Sequence, residues 1–220
     1  MYMNAVPVVL ALAGLLAVQP SSPATPDELA ARIQARYDDI RDFQADFVQS
    51  YEGGVLRTTT TERGTVAIKR PGKMRWVYTR PEQKEFVSDG VRMYAYVPAD
   101  KQVIVSPAPD AATTPALFLA GKADLARDYT PSFTELPGPA PGLIGLKLVP
   151  RRADPEYDWL VLGVDARTLQ IRQLVAMDRQ GGRSTFTFTN LQENKGLADK
   201  TFEFRIPRGV DVITNGSPAK

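Results

Sequence analysis

Two kinds of hydrophobic spacing divide the chain. From Leu29 the apolar positions Ile33, Tyr37, Ile40, Phe43 and Phe47 recur at helical intervals, with Arg32, Arg36, Asp38, Asp39 and Arg41 off that stripe. Thr25-Pro26-Asp27-Glu28 supplies a start signal: a threonine N-cap, proline at the first helical position and glutamate to close a capping box. The spacing predicts one amphipathic helix from Pro26 into the forties, ending before Gly53-Gly54. From Val55 the period drops to two. Val66/Ile68, then Met74/Trp76/Tyr78, then Met93/Ala95/Val97 alternate with more polar neighbours, as half-buried strands do. The Arg70-Pro71 and Arg80-Pro81 steps end strands, because proline lacks a ladder donor and restricts the residue before it. Thr58 to Thr61 reads as a strand with two polar faces, near a sheet edge.

A Pro/Ala-rich connection follows Ser106. Thr114 then caps a short apolar helix, Pro115 to Ala120, with Gly121 behind it; such a helix must dock on an apolar surface to persist. Strands resume at Tyr129 and continue through Leu143–Val149, Trp159–Val164, Leu169–Met177 and Ser184–Leu191. Turn signals separate them, among them Asp165 to Thr168 and Gly181-Gly182. Thr201 to Val212 reads as a last strand with a Pro/Gly tail. About ten strands in one antiparallel sheet tend to curl, and the two apolar helices are the available cover for the concave side. The expected fold class is α+β: a curled antiparallel sheet under a helical lid that encloses a hydrophobic cavity.

Composition sharpens this. Met1 to Ala24 carries no charged side chain and holds an apolar run from Val6 to Val18. That run is shorter than the roughly 20 residues a membrane span needs and fits a secretory signal peptide, cleaved near Ala24. The expected organisation is a signal peptide over 1–24 and a single exported domain over 25–220. With no cysteine, neither a disulfide nor N-terminal lipid attachment through a cysteine is available. A formal net charge of +2 with mixed charges gives no footprint for nucleic acid. The clusters Lys69-Arg70 and Arg151-Arg152 read as strand ends facing water.

Chemistry is sparse. No histidine and no cysteine means no Ser-His triad, no thiol nucleophile and no thiolate zinc site. Asp38-Asp39 are helix neighbours that do not face each other. Ser88-Asp89-Gly90 reads as a hairpin end and Lys84-Glu85 as exposed alternation. Nothing asks for a catalytic residue, a metal or a cofactor. Two features stand out. Aromatic and methionine side chains are abundant on the strands, which suits either an ordinary core or an adaptable apolar site. Arg70, between Lys69 and Pro71, is either an exposed strand-end cation or, beneath a lid, a donor to that lid's backbone carbonyls.

At these residues the chain resembles the periplasmic outer-membrane lipoprotein carrier proteins, the LolA family. The likeness is carried by FQADFVQ (Phe43 to Gln49), GTVAIKRPGKMRWVY (Gly64 to Tyr78), and the segment from Pro81 ending in Val-Ser-Asp-Gly at Gly90. Further matches are Tyr94-x-Tyr96, the Pro115-Ala116-Leu117-Phe118-Leu119 helix and FEFRIPRGVDV (Phe202 to Val212). The resemblance implies an incomplete barrel closed by a helical lid. It implies a non-enzymatic carrier that accepts acylated lipoproteins from an inner-membrane lipoprotein-releasing ABC transporter and hands them to an outer-membrane lipoprotein receptor. Arg70 matches the family's lid-latching arginine. Met74 stands where members often carry a bulky aromatic used in transfer. The expected ligand-contacting residues are Ile33, Tyr37, Phe47, Met74, Trp76, Tyr78, Met93, Leu117 and Phe118, in a monomer without cofactors. The alternatives on the same fold are a periplasmic lipid- or lipoprotein-binding sensor, a carrier of another amphiphile, and a lipid hydrolase.

Overall fold

The computed structural model describes residues 25–54, 58–108, 124–154 and 156–215. The segment 1–24, where the signal peptide is expected, and the expected helix at Thr114–Gly121 lie outside the described residues.

The first helix, α1 (Pro26–Asp38), begins as its sequence predicts. The Thr25 hydroxyl accepts from the Glu28 amide at 3.1 Å, and Pro26 sits in the first turn. It ends earlier than its apolar spacing suggests. Ile40, Phe43 and Phe47 are not helical, and β1 runs over Asp42–Glu52. The reason is geometric: positions four apart share a face in a helix and in a strand alike. Phe43 and Phe47 therefore satisfy both periods, and the added Ala45 marks the strand. Tertiary pairing decides the outcome, because β1 is a central strand bonded on both sides.

The remaining strands are β2 (Thr59–Lys69), β3 (Lys73–Arg80), β4 (Lys84–Asp89), β5 (Arg92–Val97), β6 (Gln102–Pro107), β7 (Tyr129–Thr134), β8 (Leu143–Pro150), β9 (Tyr157–Asp165), β10 (Ile171–Asp178), β11 (Arg183–Glu193) and β12 (Asp211–Thr214). A one-turn helix, α2 (Leu125–Asp128), precedes β7. The twelve strands form a single sheet in the order β12-β6-β5-β4-β3-β2-β1-β11-β10-β9-β8-β7, which does not close on itself. All neighbours are antiparallel except β12, which lies parallel to β6. Both Arg-Pro steps end strands as expected: β2 stops at Lys69 and β3 at Arg80.

Two expectations need correction. Thr59 to Thr61 do not belong to an edge strand, since β2 lies between β1 and β3. Their ladder partners are on β1 alone, because β3 reaches only as far as Arg63, so the polar pattern marks a local overhang. The closing segment is not a strand through Phe202–Pro207. It makes a 3₁₀ turn at Asp199–Phe202, crosses the convex face, and becomes a strand only at Asp211. That crossing buries a second apolar layer: Val87 and Val103 are fully covered, and Phe204 stacks on Tyr94 at 5.3 Å. The segment is tied down by Lys69 on Asp199 at 2.6 Å, Lys73 on Asp199 at 3.1 Å, and Arg75 donating to the Thr201 carbonyl at 2.9 Å.

The main core lies on the concave face, between α1 and the sheet. Gly64 is a point where a side chain would be intolerable. A Cβ there would come within 1.9 Å of the Val77 carbonyl oxygen and 3.0 Å of the Phe47 ring. Its lack of a side chain lets Phe47, its direct partner on β1, lie across β2 toward Tyr78.

Candidate functional site: the concave face and its helical roof

The concave face is built from the inward positions of successive strands. Phe47 from β1, Trp76 and Tyr78 from β3, and Phe186 and Phe188 from β11 meet in one aromatic cluster. Phe47 stands edge-on to Trp76 at 5.0 Å and to Tyr78 at 4.9 Å, and Trp76 lies 5.4 Å from Phe186. Leu29, Ile33 and Tyr37 come down from α1 into the same buried cluster, which also contains Met74. Met93 packs against it while remaining partly exposed. Seven of the expected ligand-contacting residues are therefore brought together, while Leu117 and Phe118 lie outside the described residues.

The cluster is graded across the sheet. Trp76, Phe86, Ala95 and Ile104 are successive cross-strand partners on β3 to β6 and form one row on one face. Trp76 is buried, whereas Phe86, Ala95 and Ile104 are only half-buried. The roof does not lie evenly over the sheet. The helix α1 packs mainly on α2, β7 and β8, at the far side from that row. One open hollow of about 600 Å³ lies on the convex face and has a mixed lining, with Gln44, Thr65 and Arg75 beside Ala67 and Val77.

Arg70 sits in the turn between β2 and β3 and is half-buried, not a free strand-end cation. Its guanidinium donates to the Tyr37 carbonyl and lies 5.1 Å from the centre of the Tyr37 ring. Its backbone amide donates to the Arg41 carbonyl at 2.8 Å. The cation thus caps the C-terminal end of α1, where unsatisfied carbonyls and the helix dipole favour positive charge. Burial lowers the Arg70 pKa from its ordinary value, opposed by Tyr37 and Asp38. A second tie is one the sequence reading missed. Arg36 on α1 forms an ion pair with Glu193 at the end of β11, and Glu193 also accepts from Gln170 at 3.3 Å. Sequence spacing carries no signal for it, because the partners lie 157 residues apart. Asp42 carries a third: its carboxylate accepts the consecutive amides of Lys195, Gly196 and Leu197 at 2.8, 3.0 and 3.2 Å, binding β1 to the closing segment. Lys84 and Glu85, expected as plain exposed alternation, pair with Glu62 and Arg75 respectively.

Burial also sets the tyrosines. Tyr37 and Tyr78 have pKa values well above the ordinary value of 10.0, first because of burial and next because of the nearby carboxylates Glu193 and Glu62. Tyr129 and Tyr157 share a hydrogen bond at 2.7 Å and are also raised, with burial the leading cause. An acid whose folded pKa exceeds its unfolded one contributes stability that is complete below the unfolded pKa and is lost as pH climbs toward the folded value. Each such phenol removes about 1.4 kcal/mol per pH unit in that window. The urea midpoint is expected to be unaffected by these phenols up to about pH 9.5 and to fall steeply above about pH 10, with the ring signals of these four tyrosines, followed one by one by NMR, reporting ionisation only together with unfolding. Ionisation of any of the four in a still-folded protein near pH 10 would contradict this.

Fold and site together define an open half-barrel whose apolar concave face is held beneath a helix by a half-buried arginine. A family model described as outer membrane lipoprotein carrier protein LolA matches residues 38–205. The chain belongs to that family. Among its relatives, the outer-membrane lipoprotein carrier protein of Methylococcus capsulatus is 32% identical over 184 residues, covering 83% of this chain and 86% of that one. The protein of the same description from Cupriavidus taiwanensis is 30% identical over 208 residues, covering 92% and 94%. Of solved structures, an uncharacterized conserved protein from Thermus thermophilus aligns with a TM-score of 0.52 at 16% identity, over 84% of this chain and 99% of that one. That likeness speaks to the fold alone.

Proposed function

We propose that this protein is a periplasmic carrier that takes up the acyl chains of lipoproteins released from the inner membrane and delivers them to the outer membrane. Family membership supports the reading. The structural observation that carries it is the graded apolar row from buried Trp76 to half-exposed Ile104, continuing the core into a face that hydrocarbon can extend.

The need for such a carrier is physical. Each methylene hidden from water contributes about 0.8 kcal/mol, so a cargo with two or three acyl chains leaves a bilayer only into an equivalent apolar site. The site must also let go. In the structure the concave face is filled by its own rings, and α1 is held by Arg70 and by Arg36 with Glu193. Entry of acyl chains then requires those rings and the helix to move, and breaking their interactions offsets part of the gain of burial. On this reading Arg70 is the latch, and Ile33, Tyr37, Phe47, Met74, Trp76, Tyr78, Met93, Leu117 and Phe118 meet the cargo. Binding without chemistry fits a chain that has no histidine or cysteine. The transporter and receptor at the two membranes, a monomeric state, and removal of residues 1–24 on export belong to the same proposal.

The test is mass spectrometry of what co-purifies with the protein from a periplasmic extract. Acylated peptides are the expected ligand. Phospholipid alone would move the reading to another amphiphile, and turnover of acyl esters by the pure protein would make it a hydrolase.

A further inference from the structure

Trp76 is 2% exposed, and its indole nitrogen is buried with no acceptor among the described residues. This is unusual for a buried tryptophan, whose N–H ordinarily finds a partner. The surroundings explain the orphan. Phe47, Phe186 and Phe188 lie around the indole with ring centres at 5.0, 5.4 and 6.4 Å, and its cross-strand partners are Val66 and Phe86. None of these side chains offers an oxygen. The nearest polar side chain on the same strand face, the Tyr78 hydroxyl, is already engaged in donating to Gln49 Oε1 at 2.8 Å. A phenylalanine at position 76 would give similar apolar area and leave nothing unpaired. The indole therefore carries a cost in the closed form that a core side chain has no reason to bear. At the end of the same β2–β3 hairpin, Arg70 Nε is likewise a buried donor without an acceptor among the described residues. Both orphans call for an acceptor.

We propose that the Trp76 N–H is the hydrogen-bond donor for the carbonyl at the head of a cargo acyl chain, an ester or an amide. The inference rests on the carrier reading above and adds to it a point of chemical recognition inside an otherwise apolar site. Apolar contacts alone hold any hydrocarbon of suitable size. A single buried donor distinguishes an acyl chain from a plain alkyl chain, because a carbonyl that enters without a partner loses its water and gains nothing. It also sets depth: the carbonyl stops at Trp76, and the alkyl chain continues along the face beyond it.

The experiment compares two ligands that differ by one carbonyl, methyl decanoate and methyl decyl ether, binding to the full chain and to its Trp76→Phe variant by displacement of a fluorescent apolar probe. The ester-to-ether affinity ratio is expected to fall by about five- to tenfold in the variant. A second measurement does not depend on that variant folding. In a Trp159→Phe background, which leaves Trp76 as the only tryptophan, the ¹⁵N-labelled indole proton is expected to move downfield with the ester and not with the ether. The same ratio in both proteins, with equal indole responses to both ligands, would mean that the N–H already rests against a ring face and would overturn the proposal. If neither compound binds even to the unaltered protein, the apolar site itself fails and this inference with it.

Discussion

Arg70→Leu is expected to load with acylated cargo and then to deliver it to acceptor membranes at least about tenfold more slowly than the unaltered protein. The hydrogen bond is formed by a half-buried, charged donor on the Tyr37 carbonyl at the end of α1, and bonds of that kind contribute about 1.5–3 kcal/mol. If Arg70 is the proposed latch, that stabilisation belongs to the form in which α1 is held down; removing it leaves the loaded form untouched and makes its competitor less stable, so the loaded population grows by the corresponding factor. Delivery slows for the same reason that loading becomes easier. Arg70→Lys is expected to recover only part of the effect. An ammonium lacks the planar fork that serves the Tyr37 carbonyl while lying against its ring. The measurement is transfer of a labelled lipoprotein from purified carrier to acceptor vesicles, with loading assayed separately. Transfer by Arg70→Leu at the unaltered rate would remove Arg70 from the release step.

How much of this is legible in the sequence depends on which features are local. Strand alternation at Met74/Trp76/Tyr78 and Val66/Ile68 places the concave face correctly, because side-chain direction in a strand follows from the backbone alone. Turn chemistry is equally legible: Asp165 accepts the amides of Arg167 and Thr168 at 2.9 and 2.8 Å, within a few residues of itself. Phe43 reads wrongly as helical because its four-residue spacing from Phe47 suits either period, and the choice is made by β2 and β11, both distant in sequence. The covered convex face escapes a sequence reading for a similar reason. In β5, Tyr94 and Tyr96 alternate with Met93 and Ala95, so both faces are apolar. That pattern announces cover on both sides, but nothing local says that Phe204 lies over Tyr94 and Tyr96. The half-burial of Arg70 is only a conditional reading from sequence, and the partner carbonyl at Tyr37 becomes visible only with the fold.

Phe47→Ala separates a chamber from an ordinary core. Phe47 is 2% exposed at the centre of the aromatic cluster, in contact with Trp76, Tyr78 and Phe186. Truncation should cost about 3–5 kcal/mol of unfolding free energy in the empty protein, through lost burial and the void left behind. In a passive core that loss is the whole result, with or without ligand. In a site that acyl chains enter, the ring is among the groups that make way, and the chain fills the space it vacates. The variant then regains on loading much of what it loses when empty. The shift in thermal midpoint produced by a saturating acylated peptide is therefore expected to be larger for Phe47→Ala than for the unaltered protein, because ligand stabilisation grows with affinity for the folded form. An equal or smaller shift would show that cargo does not occupy the space of Phe47 and would confine binding to the half-exposed row from Phe86 to Ile104.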